Sequence, residues 1–155
     1  MKHAIIYTII LLSILGLTSC SDDNDGPDVD ITIAYDNVVE EGSRIYVVEG
    51  TPLIIKGIYV ESANGSAAAI SGVNYYWNYC NVGFSNTAPF SFNFDTSYLR
   101  PGNYILGMKF NVLQVDKSIA VASIVQNVTV VASAEDLPGE LPGESTQNFH
   151  THTSL

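Results

Sequence analysis

The sequence signal that best identifies the fold is Val73-Asn74-Tyr75-Tyr76-Trp77-Asn78-Tyr79-Cys80-Asn81-Val82-Gly83. Its apolar and aromatic residues recur at every second position: Val73, Tyr75, Trp77 and Tyr79. This two-residue period predicts a β-strand that presents all of them on one face. The polar tip and the apolar-glycine pair that follow predict a tight hairpin.

The same alternation recurs on both sides of this hairpin. Six further segments are apolar at alternate positions or throughout: 31–35, 45–48, 53–60, 90–94, 104–110 and 119–131. In the last segment the apolar parity shifts near Ser123, which predicts a β-bulge there. No segment has a helical period. Seven short strands separated by turns predict an all-β fold, a single antiparallel β-sandwich.

The hairpin resembles one found in bacterial Ig-like domains. The run Leu99-Arg100-Pro101-Gly102-Asn103-Tyr104 is similar to the corner between the fifth and sixth strands of Ig-like and fibronectin type III modules. The resemblance implies a domain over about residues 29–133, with Trp77 in its core and Tyr104 as the corner tyrosine, bonded to upstream backbone. The chain departs from the pattern at the hairpin tip, where Tyr79 stands in place of the usual glycine. This fold hosts many unrelated functions, so the resemblance says little about activity.

The first twenty residues predict an export signal. Lys2 is followed by an apolar run that ends in Leu17-Thr18-Ser19-Cys20, a pattern typical of a cleaved signal peptide over residues 1–19. Its last four residues resemble the lipobox of bacterial lipoproteins, which implies that Cys20 is acylated and becomes the first mature residue. An ordinary cleaved signal and an uncleaved anchor are the alternatives. Cleavage would leave 136 of the 155 residues, enough for one domain.

An acidic tether is predicted between the lipid and the domain, over residues 20–28. Acidic residues directly after the cysteine resemble the signal that exports lipoproteins of the Bacteroidetes group to the outer surface; a plain spacer is the alternative. The resemblance implies an outer-membrane lipoprotein exposed on the cell surface. At the other end, residues 134–155 repeat Leu-Pro-Gly-Glu and then become polar, which predicts a disordered tail.

The charge distribution argues against nucleic acid as a partner. The chain carries 6 basic and 16 acidic residues, for a net charge of −10. Most of the acidic residues lie before Gly50 or after Ser133, and the predicted domain between them is close to neutral. Without a basic patch, phosphates have no counter-charge. An acidic leader does not attract anionic lipid headgroups either, so the expected contact with the membrane is the acyl chains alone.

Catalytic and metal-binding residues are sparse, so we predict no enzymatic activity, no metal and no cofactor apart from the covalent lipid. The predicted domain has no histidine, and Cys80 has no base placed beside it. His150 and His152 form a His-x-His pair on the tail without a third ligand. The carboxylates Asp95 and Asp116 are poor candidates for a glycosidase pair, since Asp95 suits a turn.

Binding remains as the expected role. Tyr76 and Asn78 fall on the strand face opposite Trp77, and together with Tyr79 they are the candidate ligand-binding residues, since tyrosine rings flanked by amides stack on sugars or contact proteins. We expect a surface module for adhesion or protein assembly. The alternative is an accessory glycan-binding lipoprotein of a polysaccharide-uptake system. Glycan binding predicts a platform of coplanar exposed rings, whereas protein assembly predicts an apolar patch or a free sheet edge on the last strand.

Overall fold

The first strand connects two sheets. In the computed structural model, which describes residues 26–139 and 143–152, β1 (Asp28–Glu41) runs for 14 residues. Its first half pairs with β3 (Leu53–Ser62), and its end forms a hairpin with β2 (Arg44–Val48). Asn37 lies between the two halves with a positive φ of 61°. Asparagine tolerates this left-handed conformation, and the Asn37 side chain donates a hydrogen bond to the Pro52 carbonyl, so the chain changes sheets here.

The remaining strands complete a two-layer arrangement. They are β4 (Ala68–Ile70), β5 (Val73–Trp77), β6 (Cys80–Ser85), β7 (Phe92–Phe94), β8 (Gly102–Gln114), β9 (Ala120–Val131) and β10 (Gly143–His152). The first sheet has the order β10-β1-β3-β7, and the second has the order β6-β5-β8-β9-β2 with β4 also on β8. All pairings are antiparallel except β2 with β9, which is parallel. The predicted all-β sandwich is confirmed.

The core lies between the sheets and follows the predicted alternation. On β1 every second residue is fully buried, from Val29 to Tyr35, and on β8 the buried positions run from Leu106 to Val112. The layers meet through stacked rings: Tyr75 on Phe92, with centroids 4.3 Å apart, and Trp77 on Phe94, also at 4.3 Å. Aromatic pairs of this kind add to the free energy already gained by burying apolar area.

The β-bulge predicted near Ser123 is wrong. β8 and β9 pair in unbroken register from Gly102 opposite Val130 to Val112 opposite Ala120. The apparent parity shift has a different cause: Gln126 occupies an inward position, only 2% exposed, where its amide donates hydrogen bonds to the Ser43 and Asn127 carbonyls. A buried amide with such partners is tolerated. The valines that break the pattern, Val121 and Val125, lie on the outer face instead.

The prediction of a disordered tail over residues 134–155 is wrong for its second half. Ala134–Asp136 form a short 3₁₀ turn, and β10 pairs antiparallel with β1, from Val38 opposite Gly143 to Asp28 opposite His152. The last two residues of the proline- and glycine-rich repeat, Gly143 and Glu144, are the first two residues of this strand. A polar segment does form a strand when an open sheet edge supplies partners for its backbone groups. The signal peptide, Cys20 and the tether up to Asp25 lie outside the described residues.

Candidate functional site

The two residues predicted as structural lie at the junction of the sheets. The Trp77 indole is 7% exposed and stacks between Phe94 and Tyr104, whose ring centroid lies 5.2 Å away. The Tyr104 hydroxyl donates a 2.7 Å hydrogen bond to the Arg100 carbonyl, which is the contact expected of a corner tyrosine. The tip of the β5–β6 hairpin is therefore held on a packed base.

The hairpin tip is a two-residue loop in which both residues are left-handed. Asn78 has φ 46° and Tyr79 has φ 69°, and Trp77 and Cys80 pair across the loop. Two positive φ values are what a type I′ turn requires, because its twist matches that of the strands. The Asn78 backbone N–H donates to the Ile105 carbonyl, and its side-chain oxygen accepts from the Ile105 N–H, at 2.8 and 2.9 Å. The Asn78 side chain thus fastens the tip to β8.

Tyr79 occupies the loop position where glycine is the favoured residue. A side chain at positive φ costs roughly 1 kcal/mol relative to glycine. Burial does not offset this cost, since Tyr79 is 77% exposed. Costly conformations of this kind concentrate at functional sites, where the side chain is kept for what it contacts.

A hollow opens beside Tyr79 on the outer face of the second sheet. Strand register places Tyr76, Gly107 and Val125 in one row across β5, β8 and β9, with Lys109 and Ser123 in the next row. Gly107 is the centre of this grid, and its missing side chain leaves a depression of about 320 Å³, which Tyr79 and Ile105 also line. A Cβ atom at position 107 would lie 3.3 Å from the Tyr76 Cβ, so glycine keeps the floor open.

The hollow contains one of the few cationic groups of an acidic chain. Lys109 is exposed on β8, between Asn74 and Ser123 in neighbouring strands. Within the part of the chain that the structure describes, its ammonium group makes no ion pair. Among the described residues, neither Tyr76 nor Tyr79 belongs to a stacked, tilted or edge-to-face ring pair.

A second feature of the same face is the free edge of β9. β2 covers this edge only from Asn127 to Val131. Among residues 26–139 and 143–152, no strand pairs with the edge between Ala120 and Gln126. Val121 and Val125, 57% and 56% exposed, project from this stretch onto the outer face. Unpaired backbone flanked by exposed apolar side chains is a template for pairing with another strand.

The candidate catalytic groups are dispersed. The Ser97 backbone N–H donates to Asp95 and lowers the pKa of this fully exposed carboxyl, as expected in a turn. Cys80 is a free, exposed thiol at the start of β6. Among the side chains described, no group of three or more histidine, cysteine, aspartate or glutamate residues is arranged to hold a metal ion. The described part of the chain also contains no helix long and apolar enough to cross a membrane.

The structure therefore brings together part of the predicted set. Tyr76 and Tyr79 line one hollow, while the Asn78 side chain is engaged by backbone. Gly107, Lys109 and Ser123 were missed, because only the pairing of β8 with its neighbours shows that they meet.

Comparisons with known proteins assign no family and no activity to this chain. No protein-family model matches the sequence, and no curated protein matches it. A solved structure of the fibronectin(III)-like modules of Clostridium thermocellum CbhA is similar over 62% of this chain and 96% of its own, at 14% identity and a TM-score of 0.38. A likeness at that level carries no argument about function. The sandwich assignment rests on the strand pairings of this chain, which form two sheets.

Proposed function

We propose that this chain is a non-catalytic, lipid-anchored surface protein whose sandwich self-assembles through the free edge of β9. The observation that carries the proposal is the unpaired stretch from Ala120 to Gln126 with its two outward valines. Strand addition at such an edge gains main-chain hydrogen bonds, and side chains on the shared face supply specificity.

The spacing of the valines favours a second copy of this chain as the partner. If two β9 edges pair antiparallel about a two-fold axis at Ser123, then Val121 of each copy lies opposite Val125 of the other. The axis generates this apolar pair twice, as an isologous interface requires. A favourable cross-strand side-chain pair contributes about 0.2–1 kcal/mol relative to an alanine pair. The inward residues Ala122 and Ile124 also meet across the axis and continue the core face of the sheet.

The interface is short, and the proposed anchor compensates for this. β2 occupies the same edge from Asn127 onward, so pairing is limited to seven residues on each copy. Such a contact is weak in dilute solution. Molecules tethered to one membrane meet at a much higher effective concentration, which raises the occupancy of a weak interface. Anchoring and assembly therefore support each other in this proposal.

Charge on the outward valines is expected to abolish self-association. In either Val121→Lys or Val125→Lys each lysine lies opposite a valine of the other copy, so both apolar pairs are lost, and we expect the dimer dissociation constant to rise at least tenfold. Sedimentation equilibrium on the full chain carrying Cys20→Ala measures this without acyl chains. Val82→Lys, at an exposed position on the opposite edge of the same sheet, is the matched control. Equal association of all three variants and the parent would exclude the β9 interface.

The anchor is proposed from the signal and lipobox pattern, with the acidic residues after Cys20 supporting export to the outer surface. Cys20→Ala removes the acylated thiol. We expect labelled palmitate to be incorporated into the parent and not into the variant, as followed by immunoprecipitation. Equal labelling of the variant and the parent contradicts the lipid anchor. Surface exposure is tested separately, by digestion of intact cells with a protease.

A further inference from the structure

We infer that the hollow around Gly107 is a binding site for a carboxylate-bearing sugar unit, such as a uronic or sialic acid residue. This goes beyond the assembly proposed above, because it concerns a small ligand in the hollow around Gly107, although Ser123 and Val125 belong to both the hollow and the proposed interface. Tyr79 supplies a ring face at the rim, Tyr76 and Val125 flank the floor, and Lys109 and Ser123 supply a cation and a hydroxyl.

The shape of the site comes from a missing side chain. Every neighbour of Gly107 in the grid of three strands carries a side chain, so the depression is one residue wide and open to solvent. Its volume of about 320 Å³ lies at the lower end of the roughly 300–1,000 Å³ found for ligand clefts. A single ring fits this description better than an extended peptide. A ring lying over Gly107 has Tyr76 on one side and Val125 on the other.

The charge of the ligand follows from Lys109. The chain has 6 basic and 16 acidic residues, but most of the acidic residues lie before Gly50 or after Ser133, outside the segments that form the hollow. Lys109 is exposed within the hollow, next to Ser123, and has no carboxylate paired with it among the described residues. A carboxylate accepting hydrogen bonds from an ammonium and a hydroxyl forms charge-assisted contacts, which are about twice as strong as neutral ones. These groups select an acidic sugar over its neutral counterpart.

Tyr79 is the second, independent observation. Its left-handed backbone and 77% exposure mean that burial of this side chain contributes little to the folded domain at this position. Its place at the rim explains its presence, because a tyrosine ring offers a flat face to the C–H face of a sugar. Tyr79→Gly separates binding from folding, since the glycine is favoured in the turn and removes the rim.

The test uses the full chain carrying Cys20→Ala and three acidic probes: tetragalacturonate, a hyaluronan tetrasaccharide and sialyllactose, each beside its methyl ester. Calorimetry is expected to show binding of at least one acid and at least tenfold weaker binding of its ester. Amide resonances of Gly107, Lys109 and Ser123 are expected to shift in the NMR spectrum of the complex. If none of the acids binds, or if the shifts fall elsewhere, the site is wrong.

Substitutions of Tyr79 and Lys109 test the role of each side chain in ligand binding. Tyr79→Gly is expected to raise the thermal midpoint and weaken binding at least tenfold, a combination that a structural role does not produce. Lys109→Gln is expected to make acid and ester bind equally. Lys56→Gln and Tyr59→Ala, on the first sheet, are matched controls that keep the parent's affinity. Loss of binding in the controls as well, or an acid preference that survives in Lys109→Gln, overturns the assignment.

Discussion

Replacing Trp77 by alanine is expected to destabilise the domain by about 3–5 kcal/mol. The indole is 7% exposed and lies between Phe94 of the first sheet and Tyr104 of the second. Its loss leaves a cavity at the point where the layers meet. Because the free energy of unfolding of a small domain is about 5–15 kcal/mol, the substitution removes much of it.

The variant Trp77→Phe distinguishes the contribution of ring packing from the cost of burying the indole N–H. Within the described residues the buried indole Nε1 has no hydrogen-bond partner. Phenylalanine keeps a ring between its neighbours and removes this unpaired donor, whose burial costs about 1–3 kcal/mol. We therefore expect Trp77→Phe to lose less than half of what alanine loses in urea unfolding. Equal losses for the two variants, or little loss for alanine, would show that the stack does not hold the layers together.

Above pH 10 the domain is expected to lose stability steeply. Burial is the main cause that raises the pKa of Tyr35 above its ordinary value, and the nearby charges of Glu40 and Tyr75 act in the same direction. In the unfolded chain a tyrosine titrates near pH 10. The folded state therefore holds its phenolic proton while the unfolded state releases it, so stability is complete below pH 10 and falls as the pH rises. Between pH 10 and 12, Tyr35 alone removes roughly 2 kcal/mol.

Tyr35→Phe is the variant that isolates this effect. The Tyr35 hydroxyl is buried and has no hydrogen-bond partner among the residues described, so its removal is expected to leave stability at pH 7 unchanged or higher. Urea midpoints measured from pH 8 to 12 are expected to fall less steeply for this variant than for the parent. Tyr59→Phe, at an exposed tyrosine, is the control and keeps the parent's slope. If the urea midpoints of Tyr35→Phe and the parent fall in parallel with pH, Tyr35 is excluded as the cause of the loss of stability at alkaline pH. Burial also raises the pKa of Tyr75, which keeps some pH dependence in the variant.

The elements predicted from sequence are those whose burial is periodic. The aromatic alternation of β5 identifies a strand with one face in the core, and β1 and β8 carry the same alternation, whereas β3 is identified by a run that is apolar at both parities. Two strands lack such a signal. β4 is three residues long, and β10 is polar. These strands form because a neighbouring edge offers backbone hydrogen bonds, and a local pattern contains no information about that edge.

The residues of the candidate site also divide into those that the sequence predicts and those that only the structure reveals. Tyr76 and Tyr79 are predictable because they belong to the hairpin that identifies the fold. Gly107 is inconspicuous in sequence, since a glycine within a strand is read as a local weakness. Only the register of β8 against β5 and β9 shows that it is the floor of a hollow and that Lys109 lies beside it. From the sequence alone, the exposed valines of β9 likewise predict a bulge. The structure shows that the register is unbroken and that Gln126 occupies the core position.

The central claim is the pairing of two β9 edges about an axis at Ser123, and a cysteine on that axis tests it most directly. In the full chain carrying Cys20→Ala and Cys80→Ser, Ser123→Cys leaves one thiol in each molecule. Directly opposed strand residues have Cβ atoms about 4.5–5.5 Å apart, close enough for a disulfide after a small adjustment. Mild oxidation is expected to convert most of this variant to a covalent dimer, while Ser91→Cys, at an exposed position before β7, stays monomeric. Equal cross-linking of the two variants, or none, would contradict assembly through β9.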